Sequence, residues 1–183
     1  MKKTSWRVFT AAALAVVLPG GAAWAGSSDD SDTVTVNVSP VLSITDTVGN
    51  YTLTFADFAA GSLTNGQTVS YTVKANNMTN SAITGAVSAK ISALLDGITF
   101  QANPGRTFVN NGAANNATLT ESIAGVIVIG TTAVNIMNKP ASTGNQGKVL
   151  NGTVFVNYSA RALRDLSVAD GGAVTVTVTL RDV

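Results

Sequence analysis

The sequence predicts an all-β protein, an immunoglobulin-like or jelly-roll β-sandwich of about eight to ten short strands. Three observations support this fold class. Apolar residues alternate with Thr, Ser and Asn at a period of two in several stretches, a pattern typical of strands with one buried face. Turn-forming Gly, Asn, Asp and Pro separate these stretches, at intervals of about 8 to 15 residues. Val and Thr are abundant, and their branched Cβ atoms suit a pleated sheet.

The first 25 residues have the organisation of a cleavable secretory signal peptide. Two lysines begin a basic segment, residues 8–18 are uncharged and largely apolar, and Ala23-Trp24-Ala25 matches an A-x-A cleavage site. The apolar stretch is about half of the roughly 20 residues that a membrane-spanning helix needs. We therefore expect cleavage after Ala25, an extracytoplasmic location at the cell surface or in the medium, and a mature chain without a membrane span.

The composition of the mature chain excludes several classes of protein. Removing residues 1–25 takes away three basic residues and no acid, which leaves eight basic and ten acidic residues and a net charge of −2. Such a chain offers no basic surface to nucleic acid. It has no Cys, so it is not a Cys-acylated lipoprotein and forms no disulfides. About 158 residues remain, enough for one domain with a substantial core.

A flexible acidic leader, 26–32, is expected to precede a single domain over residues 33–183. Asp96-Gly97 is a hairpin signal, Asn103-Pro104-Gly105 punctuates the middle of the chain, and residues 138–147 read as a loop. Residues 123–129 are nearly continuous in apolar side chains, which predicts a strand buried on both faces. Residues 159–169 fit a helix or a loop. The remaining alternating stretches are predicted as strands at 33–45, 51–55, 69–75, 83–91, 98–100, 154–158 and 174–183.

The residue types argue against an enzyme. The chain has neither His nor Cys, which removes the commonest general base and most transition-metal sites. No cofactor is expected, because no dinucleotide or P-loop motif occurs. Glycoside hydrolysis needs only two carboxylates, so a hydrolase stays as a third hypothesis. Its candidate residues, each more simply a capping or solvated carboxylate beside a turn, are Asp57, Asp96, Glu121, Asp165 and Asp170.

Calcium is the one metal that the composition allows. Asp29, Asp30 and Asp32 form the densest acidic group. The glycine and the distal glutamate of an EF-hand loop are absent, so a solvated terminus explains these residues better and no metal site is predicted.

The segment after the leader suggests a role. Residues 33–44 read Thr-Val-Thr-Val-Asn-Val-Ser-Pro-Val-Leu-Ser-Ile, an alternating stretch that follows a flexible terminus. A strand of this kind can complete the sheet of another chain, because main-chain hydrogen bonds supply affinity and alternate side chains fill pockets. It can equally pair within its own domain as an ordinary first strand.

At this point the sequence resembles the N-terminal donor segment of fimbrial major subunits of the colonisation-factor class. Those chains also begin with an alternating Thr/Val run followed by Pro-Val, and the strand over 174–183 is similar to their closing strand. The resemblance implies a structural subunit that binds copies of itself, after a periplasmic chaperone has held it and an outer-membrane usher has exported it. By position, the donor side chains would be Val34, Val36, Val38, Leu42 and Ile44.

A monomeric secreted or periplasmic binding module for a glycan or a protein is the second hypothesis. Sugar-binding sandwiches usually present exposed aromatic rings, whereas both Trp residues precede the predicted cleavage site. Five of the remaining aromatic residues are predicted to lie in the core: Tyr51, Phe55, Tyr71, Phe100 and Tyr158.

Overall fold

The structure is a computed structural model that describes residues 35–182, apart from the side chains of residues 105–107. The predicted signal peptide, acidic leader and first donor valine, Val34, lie outside the described residues. Two short 3-10 turns occur at Gln146–Lys148 and Val168–Asp170. The nine strands are β1 (Leu42–Asp46), β2 (Gln67–Ala75), β3 (Ile83–Ile91), β4 (Ile98–Asn110), β5 (Thr120–Glu121), β6 (Ile127–Ile129), β7 (Val134–Lys139), β8 (Leu150–Ala162) and β9 (Val176–Leu180).

The strands form two antiparallel sheets, as the sequence predicts. The five-stranded sheet has the order β1-β2-β8-β4-β6, and the four-stranded sheet has the order β5-β7-β3-β9. Residues 38–182 belong to one compact unit. The all-β sandwich class is therefore confirmed.

The registers define the two ends of the sandwich. Ala75 pairs with Leu150 at one end, and Gln67 pairs with Tyr158 towards the other. We call the first the Asn76 end, formed by loops 76–82, 111–119 and 140–149. The Arg164 end is formed by loops 47–66, 92–97 and 163–175. Leu42 pairs with Ala75, so the chain enters β1 from the Asn76 end.

The core lies between the sheets and follows from the alternation of the central strands. Val69 and Val73 of β2, with Val154 and Val156 of β8, are 1 % exposed or less. Burying a side chain of this size stabilises a fold by about 1.5–3 kcal/mol. Packing between the apolar faces of strands that are distant in sequence therefore holds the sandwich together.

Two predicted strands are wrong in extent or burial. Residues 51–55 form no strand and contribute only the isolated bridge to Thr64 within their own loop. Of residues 123–129, only β6 is a strand, and Ile123, Val126 and Val128 are exposed. β6 lies in one layer of a two-layer sandwich, so only one of its faces packs on the core, the face that carries Ile127 and Ile129.

The middle of the chain also differs from the prediction. β4 continues through Asn103-Pro104-Gly105, and a register shift between Pro104 and Phe108 accommodates the proline. β7 reaches Lys139, which shortens the loop predicted from residue 138. β8 extends to Ala162, so the helix or loop predicted for 159–169 is a strand end followed by a loop. The Asp96-Gly97 turn is confirmed, with Gly97 at φ 69° and the Ile98 N–H donating to the Leu95 carbonyl.

Candidate interaction site

Residues 35–41, directly before β1, lie outside any strand. Residues 35–41 carry no strand assignment, and the side chains of Val36 and Val38 are 81 % and 79 % exposed. Val41 is also exposed. Two of the predicted donor side chains are thus free of the core, on a stretch whose alternation matches a strand.

Asn76 holds the chain where this stretch meets the domain. The Val41 N–H donates to Asn76 Oδ1 at 2.7 Å, and Asn76 Nδ2 donates to the Ser39 carbonyl at 2.8 Å. The Asn76 N–H also donates to the Val41 carbonyl at 3.2 Å. One residue therefore fixes both sides of Pro40, whose missing N–H interrupts the ladder at that point.

The last two predicted donor side chains lie in β1. Leu42 pairs with Ala75 and Ile44 pairs with Val73 of the same chain. Ile44 packs against the core, whereas Leu42 remains partly exposed. The sequence predicts this segment as one strand. In the structure, the part from residue 42 onward pairs with a strand of the same chain, and residues 35–41 belong to no strand.

β9 forms the outer edge of the four-stranded sheet. It pairs with β3, from Ile91 opposite Val176 to Val87 opposite Leu180, and among residues 35–182 its other edge has no strand partner. Val174, Val176 and Val178 are half-buried and pack against the core. An edge of this kind presents main-chain N–H and C=O groups to another strand.

A cavity of about 800 Å³ opens between the sheets beside the start of β9, at the Arg164 end. Its wall is mainly apolar, with aromatic rings from both the 47–55 loop and the five-stranded sheet. Side chains lining it include Tyr51, Phe55, Leu95, Phe100, Val174 and Val176. The cavity and the free edge of β9 thus share Val174 and Val176.

All three tyrosines of the chain cluster at this cavity. The Tyr71 and Tyr158 hydroxyls are 3.0 Å apart and hydrogen-bonded, and the Tyr51 and Phe100 rings stack on Tyr158. Burial raises the pKa of Tyr51, Tyr71 and Tyr158. Phenols that stay protonated at neutral pH add hydrogen-bonding capacity but no charge to this site.

The structure brings together only two of the five candidate carboxylates, Asp96 and Asp170, which share Arg164. Asp57 accepts from the Ala59 N–H, Asp165 accepts from the Ala60 N–H, and Glu121 lies in β5. Asp96 and Asp170 each form an ion pair with Arg164 at 2.7 Å. Hydrogen bonds from Arg164 and from the Ser167 N–H lower the pKa of Asp170 to about 2. An ionised, ion-paired carboxylate has no proton to donate as a general acid.

Within residues 35–182, no group of three or more metal-ligating side chains comes together. In the same part of the chain, no helix is both long and apolar enough to cross a bilayer. The predicted core aromatics are buried or half-buried, whereas Phe58 is 67 % exposed. The sequence identifies the aromatic residues but not the cavity, because the cavity depends on where the 47–55 and 171–176 segments meet.

No protein-family model, curated protein or solved structure matches this chain.

Proposed function

We propose that the protein is a non-enzymatic structural subunit of an extracytoplasmic fibre, and that copies join by exchange of the N-terminal strand. The observation that carries the proposal is the exposed, alternating segment before residue 42, in a molecule whose β9 edge has no strand partner among residues 35–182. An exposed alternating segment and an unpaired sheet edge are the two features that strand addition needs, and they support the proposal.

In this proposal the donor side chains are Val34, Val36 and Val38. Leu42 and Ile44 already pair with β2 of the same chain, so the exchanged segment ends before β1. The Asn76 contacts support this boundary, because they hold Ser39 and Val41 to the domain. Strict alternation places the three valines on one face of an added strand.

The acceptor is the free edge of β9 and the cavity beside it. A strand added to this edge forms main-chain hydrogen bonds with β9, and its valines enter the apolar space lined by Val174 and Val176. Each buried valine contributes about 1.5–3 kcal/mol. Three such side chains would add substantially to the main-chain hydrogen bonds of the added strand.

The decisive experiment replaces Val34, Val36 and Val38 with Thr in the chain beginning at Gly26. Thr keeps the branched Cβ and the β preference but puts a hydroxyl where an apolar pocket is expected. Wild-type protein is expected to form polymers that run as ladders in unheated denaturing gels, and the triple variant is expected to stay monomeric. Size-exclusion chromatography with light scattering measures both.

A matched control replaces three other exposed valines, Val109, Val126 and Val128, with Thr. This control should polymerise as the wild type does. Equal polymerisation of the donor variant and the control would show that Val34, Val36 and Val38 do not mediate assembly. A wild type that remains a monomer under all conditions would overturn the fibre proposal itself.

One observation favours a second function, a monomeric secreted binding module. The cavity has aromatic walls and the volume of a typical small-ligand site, and Phe58 is exposed nearby on the 47–66 loop. A stable monomer in which the amides of residues 35–41 are protected from hydrogen exchange would favour this module over the fibre subunit.

A further inference from the structure

The cavity at the Arg164 end has the size and the lining of a ligand site. Its volume of about 800 Å³ lies within the range of roughly 300–1,000 Å³ that is typical of small-molecule pockets. Four aromatic rings form part of its wall, those of Tyr51, Phe55, Tyr71 and Phe100. The Tyr51 and Phe100 rings stack on Tyr158, so this part of the wall is held in place before any ligand enters.

One carboxylate lines this cavity. Asp46 is the last residue of β1. Because side chains alternate along a strand, Asp46 lies on the same face of β1 as Ile44, which packs against the core. Asp46 is also directly opposite Tyr71, and opposite residues of antiparallel strands project from the same face of the sheet. Since Asp46 remains exposed, its carboxylate lies at the mouth of the cavity, beside the tyrosines.

The charge of Asp46 acts on the wall of the cavity. Burial is the main cause that raises the pKa of Tyr51, Tyr71 and Tyr158, and the negative charge of Asp46 adds to the increase in each. The carboxylate is therefore close enough to all three phenols to oppose a second negative charge in the cavity.

No basic side chain among those that the structure describes offsets this charge. Neither Lys nor Arg lines the cavity, and the ion pairs formed by the described side chains join Arg164 to Asp96 and to Asp170. An anionic ligand would therefore be repelled by Asp46 and would find no positive partner. A cation would be attracted both by the carboxylate and by the faces of the aromatic rings.

We infer that the cavity binds a small organic ammonium ion, a monocation with an apolar or aromatic body. The apolar body lies between the sheets, and the ammonium group lies at the mouth of the cavity beside Asp46. The inference rests on the second function proposed above, the binding module, and names the class of its ligand. It does not depend on strand exchange.

The test uses three ligands of similar size that differ in charge: 2-phenylethylammonium, 2-phenylethanol and phenylacetate. Each is titrated into the chain that begins at Gly26 and carries Thr at residues 34, 36 and 38, so that the valines of another chain do not compete for the cavity. Chemical-shift changes of the backbone amides, measured by NMR, give each dissociation constant and locate the site. The titrations are repeated with Asp46→Asn and with Asp57→Asn. Asp57 is a matched control, because it is an exposed carboxylate of the same end and lies outside the cavity lining.

The ammonium ion is expected to bind about tenfold more tightly than the alcohol, and phenylacetate is expected to bind more weakly than either. The largest shift changes should fall in residues 46–55 and 171–176, which line the cavity. Salt that shortens the Debye length below about 10 Å should weaken binding of the ammonium ion and leave binding of the alcohol unchanged. Asp46→Asn should abolish the preference for the ammonium ion, whereas Asp57→Asn should preserve it.

Equal affinity for the ammonium ion and the alcohol, or equal effects of Asp46→Asn and Asp57→Asn, would overturn the ligand class. Absence of binding by all three ligands would overturn it as well. The comparison of ligands requires no change at residue 46, so it decides the question even if circular dichroism shows that Asp46→Asn does not fold. Equal affinities would refute the ammonium ligand and leave a module for neutral ligands, and the fibre proposal keeps its separate test in the gel ladders.

Discussion

At the scale of single residues, the tyrosine cluster is the most informative feature of the site. Tyr71 and Tyr158 satisfy each other with one hydrogen bond. Tyr51 packs its ring on Tyr158, and its buried hydroxyl has no hydrogen-bond partner among the described residues. A buried polar atom without a partner costs about 1–3 kcal/mol. The ring stacking and burial of Tyr51 must offset that cost.

The cluster predicts how the protein responds to alkali. The folded state raises the pKa of all three phenols above the value of about 10 found in unfolded chains. The stability that these buried, protonated phenols contribute is fully present below about pH 10. It is lost as the pH rises from there towards the pKa of the phenols in the folded state. Tyrosinate absorbance should therefore appear together with unfolding, as circular dichroism would show on the same sample.

Tryptophan absorbance does not interfere with this measurement in the chain that begins at Gly26, because Trp6 and Trp24 both precede it. Smooth ionisation near pH 10 with the fold intact would contradict the buried cluster.

Lys139 gives a second prediction at this scale. Lys139 is only 1 % exposed, and its ammonium donates to Ser81 O, Pro140 O and Ser142 Oγ at 3.0–3.2 Å. Lys139→Met keeps the length of the side chain but leaves these acceptors without their donor. We expect a loss of about 1–3 kcal/mol in the free energy of unfolding.

Urea denaturation measures that loss, with Lys90→Met as the control at an exposed position of β3. The control should change stability by less than about 0.5 kcal/mol. Equal effects from the two lysines would show that the Lys139 hydrogen bonds add nothing.

At the scale of elements, the contact between β4 and β8 depends on one glycine. A Cβ atom at Gly152 would collide with the Phe108 ring and with the Val109 carbonyl. Asn110 is opposite Gly152, and Phe108 lies two residues before Asn110 on the same strand. The Phe108 ring therefore lies over the glycine, where the neighbouring strand has no side chain. The sequence shows the glycine but not the ring above it.

Gly152→Ala is expected to destabilise the fold by about 1–3 kcal/mol, because the strand must shift to admit the methyl group. Gly130→Ala is the matched control, since no atom lies within 4 Å of its added Cβ and its φ is not positive. Thermal or urea unfolding of the two variants compares them. A Gly152→Ala variant as stable as the control would mean that Phe108 moves away at no cost.

The first strand shows what periodicity can and cannot predict. Alternation from residue 34 to residue 44 indicates a strand-forming segment, but its partner depends on residues far along the chain. Asn76 is 35 residues from Val41, and its side chain divides the segment. Similarly, the apolar residues 123–129 predict a strand without showing that only one face of β6 packs on the core.

At the scale of the whole molecule, the fold class could be predicted because alternation, turn residues and composition all favour the same answer. The strands at β2, β3 and β9 match predicted segments closely. The site could be predicted only in part. Val36 and Val38 are visible as an alternating pair, whereas the cavity and the β9 edge depend on which loops the topology brings together.

The antiparallel pairing of β1 with β2 also determines how a fibre would carry tension. The donor segment continues into β1 along the strand axis, through the Asn76 contacts. A pull on it therefore loads the five pairs from Leu42–Ala75 to Asp46–Tyr71 together, in shear, rather than opening them one by one. Mechanical strength would then reside in the short first strand, and the rest of the sandwich would remain folded until that strand slides.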